Sequence, residues 1–223
     1  MTGVLGTEVS DASGTGFFDV KNRCFSKELI EKAGLNPDLF APCTESDAVT
    51  GTVTKWACEQ TGLPEGLPVV AGGGDAVLQT TCTGLVSSDI LGVVIGTSGV
   101  VATGIEGCPD NPNGDLQLFC NNAAGLWHAM GITLAAGGSF RWFRDTLCQN
   151  EKDQAAKENI SVYDLLNAQA DSVPVGSDGV IFLPYLSGER CPYSDPNARG
   201  TFVGLSLKTD HAAMTRAVME GIT

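Results

Sequence analysis

Three glycine-centred stretches hold the residue types that could do chemistry in this chain. Ala71-Gly72-Gly73-Gly74-Asp75 follows the apolar run Pro68-Val69-Val70 and ends on a carboxylate. Glycines admit positive φ and let a ligand approach the backbone, and an aspartate just past a strand end points into the cleft there. Such a carboxylate accepts the proton of a substrate hydroxyl as a general base. The same placement suits an aspartate that caps the following helix, and the residues alone leave these two readings even. Gly96-Thr97-Ser98-Gly99 lies between two β-branched runs. Its successive N–H groups and two hydroxyls form either a concavity for phosphate oxygens or an ordinary hairpin turn. Ala136-Gly137-Gly138-Ser139 opens a helix, where free N–H groups and the helix dipole favour an anion unless the glycines serve packing or capping.

Other chemistries find less to work with. No G-x-x-x-x-G-K-[ST] occurs, and no G-x-G-x-x-G opens a helix after a strand, which removes P-loop and Rossmann readings. Two histidines and no G-x-S-x-G give poor support to Ser-His or Cys-His nucleophiles. The eight cysteines (24, 43, 58, 82, 108, 120, 148, 191) are scattered without a C-x-x-C pair. Neither His128 nor His211 is read as having a nearby partner ligand. The expectation is therefore no metal site, no disulfide framework, and reduced thiols in a cytoplasm. Trp127 and Trp142 are read as core residues.

These loops need elements to hold them. SKELIEKAGL from Ser26 predicts a short helix with a serine cap and a Gly34 stop. Residues 48–62 predict a strand and then a helix ending at Gly62, and Pro68 to Ala71 a further strand. Gln79 to Leu85 reads as a helix or helical turn. Leu91 to Ile95 and Val100 to Thr103 form a hairpin around the Gly-Thr-Ser-Gly turn. Leu126 to Ile132 is a strand, followed after the glycines by a helix through Arg144. Val162, Leu165 and Leu166 mark one face of an amphipathic helix over 161–170. Val180 to Pro184 reads as a buried strand, residues 187–200 as a turn-rich loop, and 210–223 as a helix with Asp210 as its cap. Both ends of the sequence interrupt a pattern and look cut.

Composition fits a globular chain: 223 residues, 43% hydrophobic and 17% charged. Thirteen basic against 26 acidic side chains give a formal charge of -13, which argues against nucleic acid and against an anionic membrane surface. No apolar run approaches the roughly 18 residues that a membrane span needs.

Taken in order, SDASGTGFFDV, VVAGGGDAVLQTTCTG, VVIGTSGVV, LAAGGSFRWFRDTL and FLPYLSGERCPYSDPNARGTFVGLSL resemble the FGGY carbohydrate kinases, and the likeness is collinear over essentially the whole chain. Gly200, Phe202, Gly204, Leu205 and Glu220 are similar to the family's second signature, with Ala213 at a position usually polar. GGGDAV and SGERCPYSDPNARG look most like xylulokinases. The resemblance implies an α/β chain of the actin/hexokinase-like ATPase (ribonuclease H-like) fold, present in part. Residues 1–87 would end the first domain and 88–223 would form most of the second. It also implies ATP-dependent phosphorylation of D-xylulose at its 5-hydroxyl, with Mg²⁺ accompanying the nucleotide. Asp75 matches the family's general base and touches the substrate. Gly96, Thr97, Ser98, Gly137 and Arg141 match positions at the ATP phosphates or near the nucleotide, and Arg141 stands where an amide is usual. Ala76 replaces an asparagine that often follows the base.

On this reading the partners are a small sugar and ATP, in a cytoplasmic enzyme without nucleic acid or membrane, and a homodimer of the full-length enzyme stays open. Segments that complete the site in the family are absent, so the chain by itself is expected not to turn over. The alternatives are a kinase for ribulose, gluconate, glycerol or another polyol, and a non-catalytic binding module on the same fold. A chaperone-type ATPase of the superfamily is a more distant third.

Overall fold

The computed structural model describes residues 1–223. Short capped helices alternate with short strands over the first third of the chain. The elements are β1 (Thr7–Glu8), α1 (Val9–Ala12), β2 (Phe18–Asp19), β3 (Cys24–Phe25), α2 (Lys27–Lys32), β4 (Cys43–Thr44), β5 (Val49–Thr52), α3 (Lys55–Thr61), β6 (Pro68–Val70) and α4 (Asp75–Cys82). The Ser26 cap is the one the sequence announces, and α3 has a cap it did not name. Ser26 Oγ accepts from Leu29 N at the start of α2, and Thr54 Oγ1 accepts from Ala57 N at the start of α3. Each satisfies an N–H group that the first helical turn leaves without a partner.

The remainder comprises β7 (Leu91–Ile95), β8 (Gly99–Glu106), β9 (Gln117–Cys120), β10 (Leu126–Thr133), α5 (Gly137–Leu147), α6 (Gln149–Glu158), α7 (Val162–Asp171), β11 (Ile181–Leu183), β12 (Thr201–Val203) and α8 (His211–Gly221). β7 and β8 are neighbours in a four-stranded sheet of order β7-β8-β10-β9, so the hairpin expected around Gly96 to Gly99 is present. β10 pairs antiparallel with β9, with Trp127 opposite Cys120 and His128 opposite Phe119.

The chain forms two compact units. One comprises Met1–Gly92 and Ala102–Met130, the other Val93–Val101 and Gly131–Thr223. In the first, β1 lies parallel to β4 and β5 pairs antiparallel with β6. Val9, Ala12, Phe18 and Cys120 form a buried cluster with Phe25 and Cys43 packed against it. The Phe18 and Phe25 rings meet edge to face at 5.3 Å, a geometry that adds about 0.5–1.5 kcal/mol to the area they bury. In the second unit, α5, α7 and α8 close over β11 around Phe143, Leu166, Val180, Phe182, Ala217 and Val218. A Cβ at Gly221 would stand 2.3 Å from Phe182 O, so the glycine lets α8 lie directly on β11.

Several expectations need correction. α4 begins at Asp75, not Gln79, because the third glycine already occupies the cap position. The stretch read as a buried strand alternates: Phe182 is 2% exposed and Ile181 57%. β11 pairs only with β12 and is covered on one face, so period-two alternation returns. β12 lies just past the expected loop of residues 187–200. α6 had no counterpart in the reading, since Gln149–Glu158 is polar all round and buries only Ala155. Trp142 is 36% exposed and stacks on Phe182 instead of filling the core. Trp127 is half-buried, with Nε1 donating to Val20 O at 2.8 Å.

Candidate active site

β6 runs into Gly72, whose φ of 84° turns the chain in the left-handed region. A Cβ at Gly73 would stand 2.0 Å from Asn122 Nδ2. Gly74 takes the N-cap position of α4 without a side chain to cap it, and Asp75 is the first helical residue. Asp75 is exposed, and its Oδ1 accepts from Ala76 N at 2.7 Å. Of the two roles the sequence left open, the capping position therefore belongs to Gly74. Asp75 keeps a carboxylate in the positive field of the helix N-terminus.

What holds this loop comes from segments the sequence reading had not connected to it. Ser10 Oγ accepts from Gly74 N at 2.9 Å and from Asn122 Nδ2 at 3.0 Å. Ser10 Oγ in turn donates to Glu8 Oε2 at 2.7 Å. Glu8 is 3% exposed and also accepts from Ser10 N, Asp11 N and, in a short contact, Ser46 Oγ. A buried carboxylate is tolerable where donors surround it, and four donors do so here. The network fixes α1 against the Gly73-Gly74 backbone. Thr7, Glu8, Asp11, Gly73, Gly74 and Asp75 are among the residues lining an open cavity of about 660 Å³. Thr44 borders the same cavity, and its Oγ1 is buried without a hydrogen-bond partner.

In the second unit the two other glycine motifs interlock. Ala136 N and Gly138 N donate to Thr97 O at 2.9 and 3.0 Å, and Gly137 N donates to Gly96 O at 2.9 Å. A Cβ at Gly137 would stand 2.5 Å from Gly96 O. This corrects the expectation that the α5 N-terminus offers free N–H groups to an anion: hairpin carbonyls occupy them, and the glycines permit that close approach. Arg141, one turn into α5, extends Nη2 to Thr97 Oγ1 at 3.4 Å. The structure thus brings Gly96, Thr97, Ser98, Gly137 and Arg141 together, and its positive charge comes from the residue that departs from the expected amide.

Glu189 is a residue that sequence reasoning missed. It is 6% exposed and accepts from Thr133 Oγ1 at 2.7 Å, Leu134 N at 3.3 Å and Arg190 N at 2.6 Å. It ties the turn between β10 and α5 to the 187–200 loop. Only its place in Ser-Gly-Glu-Arg could have signalled it.

His128 is 1% exposed beside Thr80, and burial lowers its pKa, so it stays neutral. His211 overturns the expectation that it lacks partner ligands, because folding brings Cys148 and Glu151 to it. None of the eight cysteines is in a disulfide. No helix is long and apolar enough to cross a membrane.

Residues 1–82 match the N-terminal domain of the FGGY family of carbohydrate kinases, and residues 91–223 match its C-terminal domain. A xylulose kinase of Bacillus subtilis (strain 168) is 33% identical over 223 residues, covering 100% of this chain and 43% of that protein. The structure of a xylulose kinase from Rhodospirillum rubrum superposes with a TM-score of 0.87 at 30% identity, over 100% of this chain and 43% of the other. A gluconate kinase from Lactobacillus acidophilus gives a TM-score of 0.86 at 28% identity, with the same coverage. The chain thus spans less than half the length of these relatives and carries part of an actin/hexokinase-like ATPase fold. With both domain matches in sequence order and the fold in agreement, the chain belongs to the FGGY family of carbohydrate kinases.

Proposed function

We propose that the whole protein transfers the γ-phosphoryl group of ATP to D-xylulose, giving D-xylulose 5-phosphate, with Asp75 as general base and substrate contact. The observation that carries this reading is Asp75 as the first residue of α4, on a cavity that Gly73 and Gly74 also line. About 660 Å³ lies in the range of small-molecule sites. Asp11 and Asp75 supply acceptors for sugar hydroxyls, and Thr44 Oγ1 lacks a protein partner. In the reaction the substrate oxygen bonds to the γ-phosphorus as the bond to the bridging oxygen breaks. ADP leaves, and the hydroxyl proton passes to Asp75.

The turn at Gly96, Thr97 and Ser98, with Gly137 behind it, fits a phosphate chain. Arg141 fixes a positive charge at the Thr97 hydroxyl. Mg²⁺ accompanies the nucleotide in this reading, since phosphoryl transfer rests on charge neutralisation. Residues 1–87 belong to the first domain and 88–223 to the second. The enzyme works in the cytoplasm on small molecules, without nucleic acid or membrane. The likeness to proteins named xylulose kinase supports the sugar, and the gluconate kinase structure supports the second reading, another sugar or polyol.

A coupled assay on the full-length protein with D-xylulose, ribulose, gluconate and glycerol tests both. D-xylulose is expected to give the highest kcat/KM, and a higher value on another substrate moves the assignment to it. Asp75→Ala is expected to lower kcat about 10²–10⁴-fold, whereas unchanged activity would remove Asp75 as base. The 223-residue chain alone is expected to show no turnover in the same assay.

A further inference from the structure

Cys148, Glu151 and His211 form a cluster that the kinase reading does not use. Cys148 stands at the N-cap of α6, Glu151 in its first turn, and His211 opens α8. Cys148 Sγ lies 3.7 Å from His211 Nε2. His211 Nδ1 lies 3.3 Å from Gln169 Oε1, its hydrogen-bond partner, and 3.3 Å from Glu151 Oε1. Ligand atoms of the three side chains all fall within 4.8 Å of one another.

The surroundings orient these groups. Gln169 Oε1 is an acceptor, so the imidazole carries its proton on Nδ1 and turns the Nε2 lone pair to the sulfur. The ring is stacked on Phe143, with centroids 5.3 Å apart and planes inclined by 20°. Gln169 Nε2 donates to Glu151 Oε1 at 2.9 Å, so one amide steers both the carboxylate and the imidazole. A residue that holds a histidine by its far nitrogen is the usual support of a metal-binding imidazole.

We propose that Cys148, His211 and Glu151 bind a borderline-soft divalent cation of the Zn²⁺ class, through Sγ, Nε2 and a carboxylate oxygen, with Gln169 holding Nδ1–H. Ligand bonds of about 2.3 Å to sulfur and about 2.05 Å to nitrogen at a tetrahedral angle span about 3.6 Å, close to the 3.7 Å between Sγ and Nε2. Thiolate, imidazole and carboxylate together form a ligand set suited to zinc. Cys148 is fully buried while the side chains of His211 and Glu151 are 34% and 14% exposed, so the sulfur is sheltered and the other side admits an ion and a solvent ligand. On binding, the S–H bond breaks, the S–metal bond forms, and the proton leaves to solvent. A nucleophilic role for the same thiol is unsupported, because Cys148 is out of reach of solvent and burial pushes its pKa up to about 11. Ligation would join the starts of α6 and α8, which are about 60 residues apart in sequence, and it is independent of the phosphoryl-transfer reading.

The test uses the reduced, metal-free 223-residue chain with Zn²⁺ alone and with Co²⁺ as a spectroscopic probe. The expected result is one tightly held equivalent, a Co²⁺–thiolate charge-transfer band, and a Zn²⁺-dependent rise in Tm. His211→Gln and Glu151→Gln, at partly exposed positions, are expected to raise Kd at least tenfold, and Cys148→Ser to abolish the band. Circular dichroism confirms that each variant is folded; if Cys148→Ser does not fold, His211→Gln decides. Absence of a stoichiometric equivalent overturns the proposal. So does a Kd unchanged in His211→Gln, which would move the ion to other thiols.

Discussion

Adding one Cβ at position 73 would bring it 2.0 Å from Asn122 Nδ2. That nitrogen is not a loose end, since it donates to Ser10 Oγ and Ser46 Oγ at 3.0 Å each, and both serines bond to Glu8. Gly73→Ala must therefore break hydrogen bonds or shift the loop before Asp75, and it is expected to cost about 1–3 kcal/mol of stability. Removing the obstacle should relieve the strain. In urea denaturation, Gly73→Ala combined with Asn122→Ala is expected to cost less than the sum of the single changes, and strict additivity would deny the contact. The same residues show what was legible at this scale. Three glycines and an aspartate after an apolar run announce a tight loop, because the backbone requirement is local. Glu8, Ser10 and Asn122 were not legible as its support, since the bonds from Ser10 cross 64 and 112 residues of sequence.

Among the elements, α8 ends on a carboxylate that its own dipole disfavours. Glu220 is retained there by Arg216 Nε at 2.7 Å, Ser177 Oγ at 2.9 Å and Gly176 N at 3.1 Å. These donors, Arg216 foremost, lower its pKa from the ordinary 4.5. Ser177 is fully buried and, like Asp178, sits at positive φ, so the turn before β11 depends on this acceptor. Glu220→Ala is expected to destabilise the chain by about 1–3 kcal/mol, because a buried hydroxyl loses its acceptor. The sign with pH follows from the depressed pKa. The carboxylate's contribution is complete above about 4.5 and is lost as pH falls through the lower folded value. The stability gap between wild type and variant should therefore narrow under acid denaturation and hold steady near neutrality. Two caps were readable in advance, Ser26 and Asp210, and each accepts from a first-turn N–H group; Thr54 and Ser161 cap helices that were read without their caps. α6 was not readable, as it has neither such a cap nor an apolar stripe; it is held by the burial of Ala155 and by Glu151, which accepts from Gln169 of α7.

For the molecule as a whole, eight cysteines raise the choice between covalent staples and reduced thiols, and burial turns that choice into a measurable pattern. None is in a disulfide, Cys24 and Cys82 are exposed, and Cys120 and Cys148 are fully buried. Desolvation disfavours the thiolate, which is the reactive form, and pushes Cys43 as well as Cys148 up to about 11. Access separates the exposed from the buried sites, and the raised pKa slows Cys43 further. A thiol reagent at neutral pH should label Cys24 and Cys82 first, leave Cys120 and Cys148 unlabelled in the folded chain, and react slowly at Cys43. In denaturant without reductant all eight should react, as read by mass spectrometry. Fewer than eight would mean that a disulfide forms, against the reading of reduced thiols. Early labelling of Cys148 would mean that the core around Phe143 and Leu166 opens readily, and the aligned cluster of Cys148, Glu151 and His211 would lose its support with it.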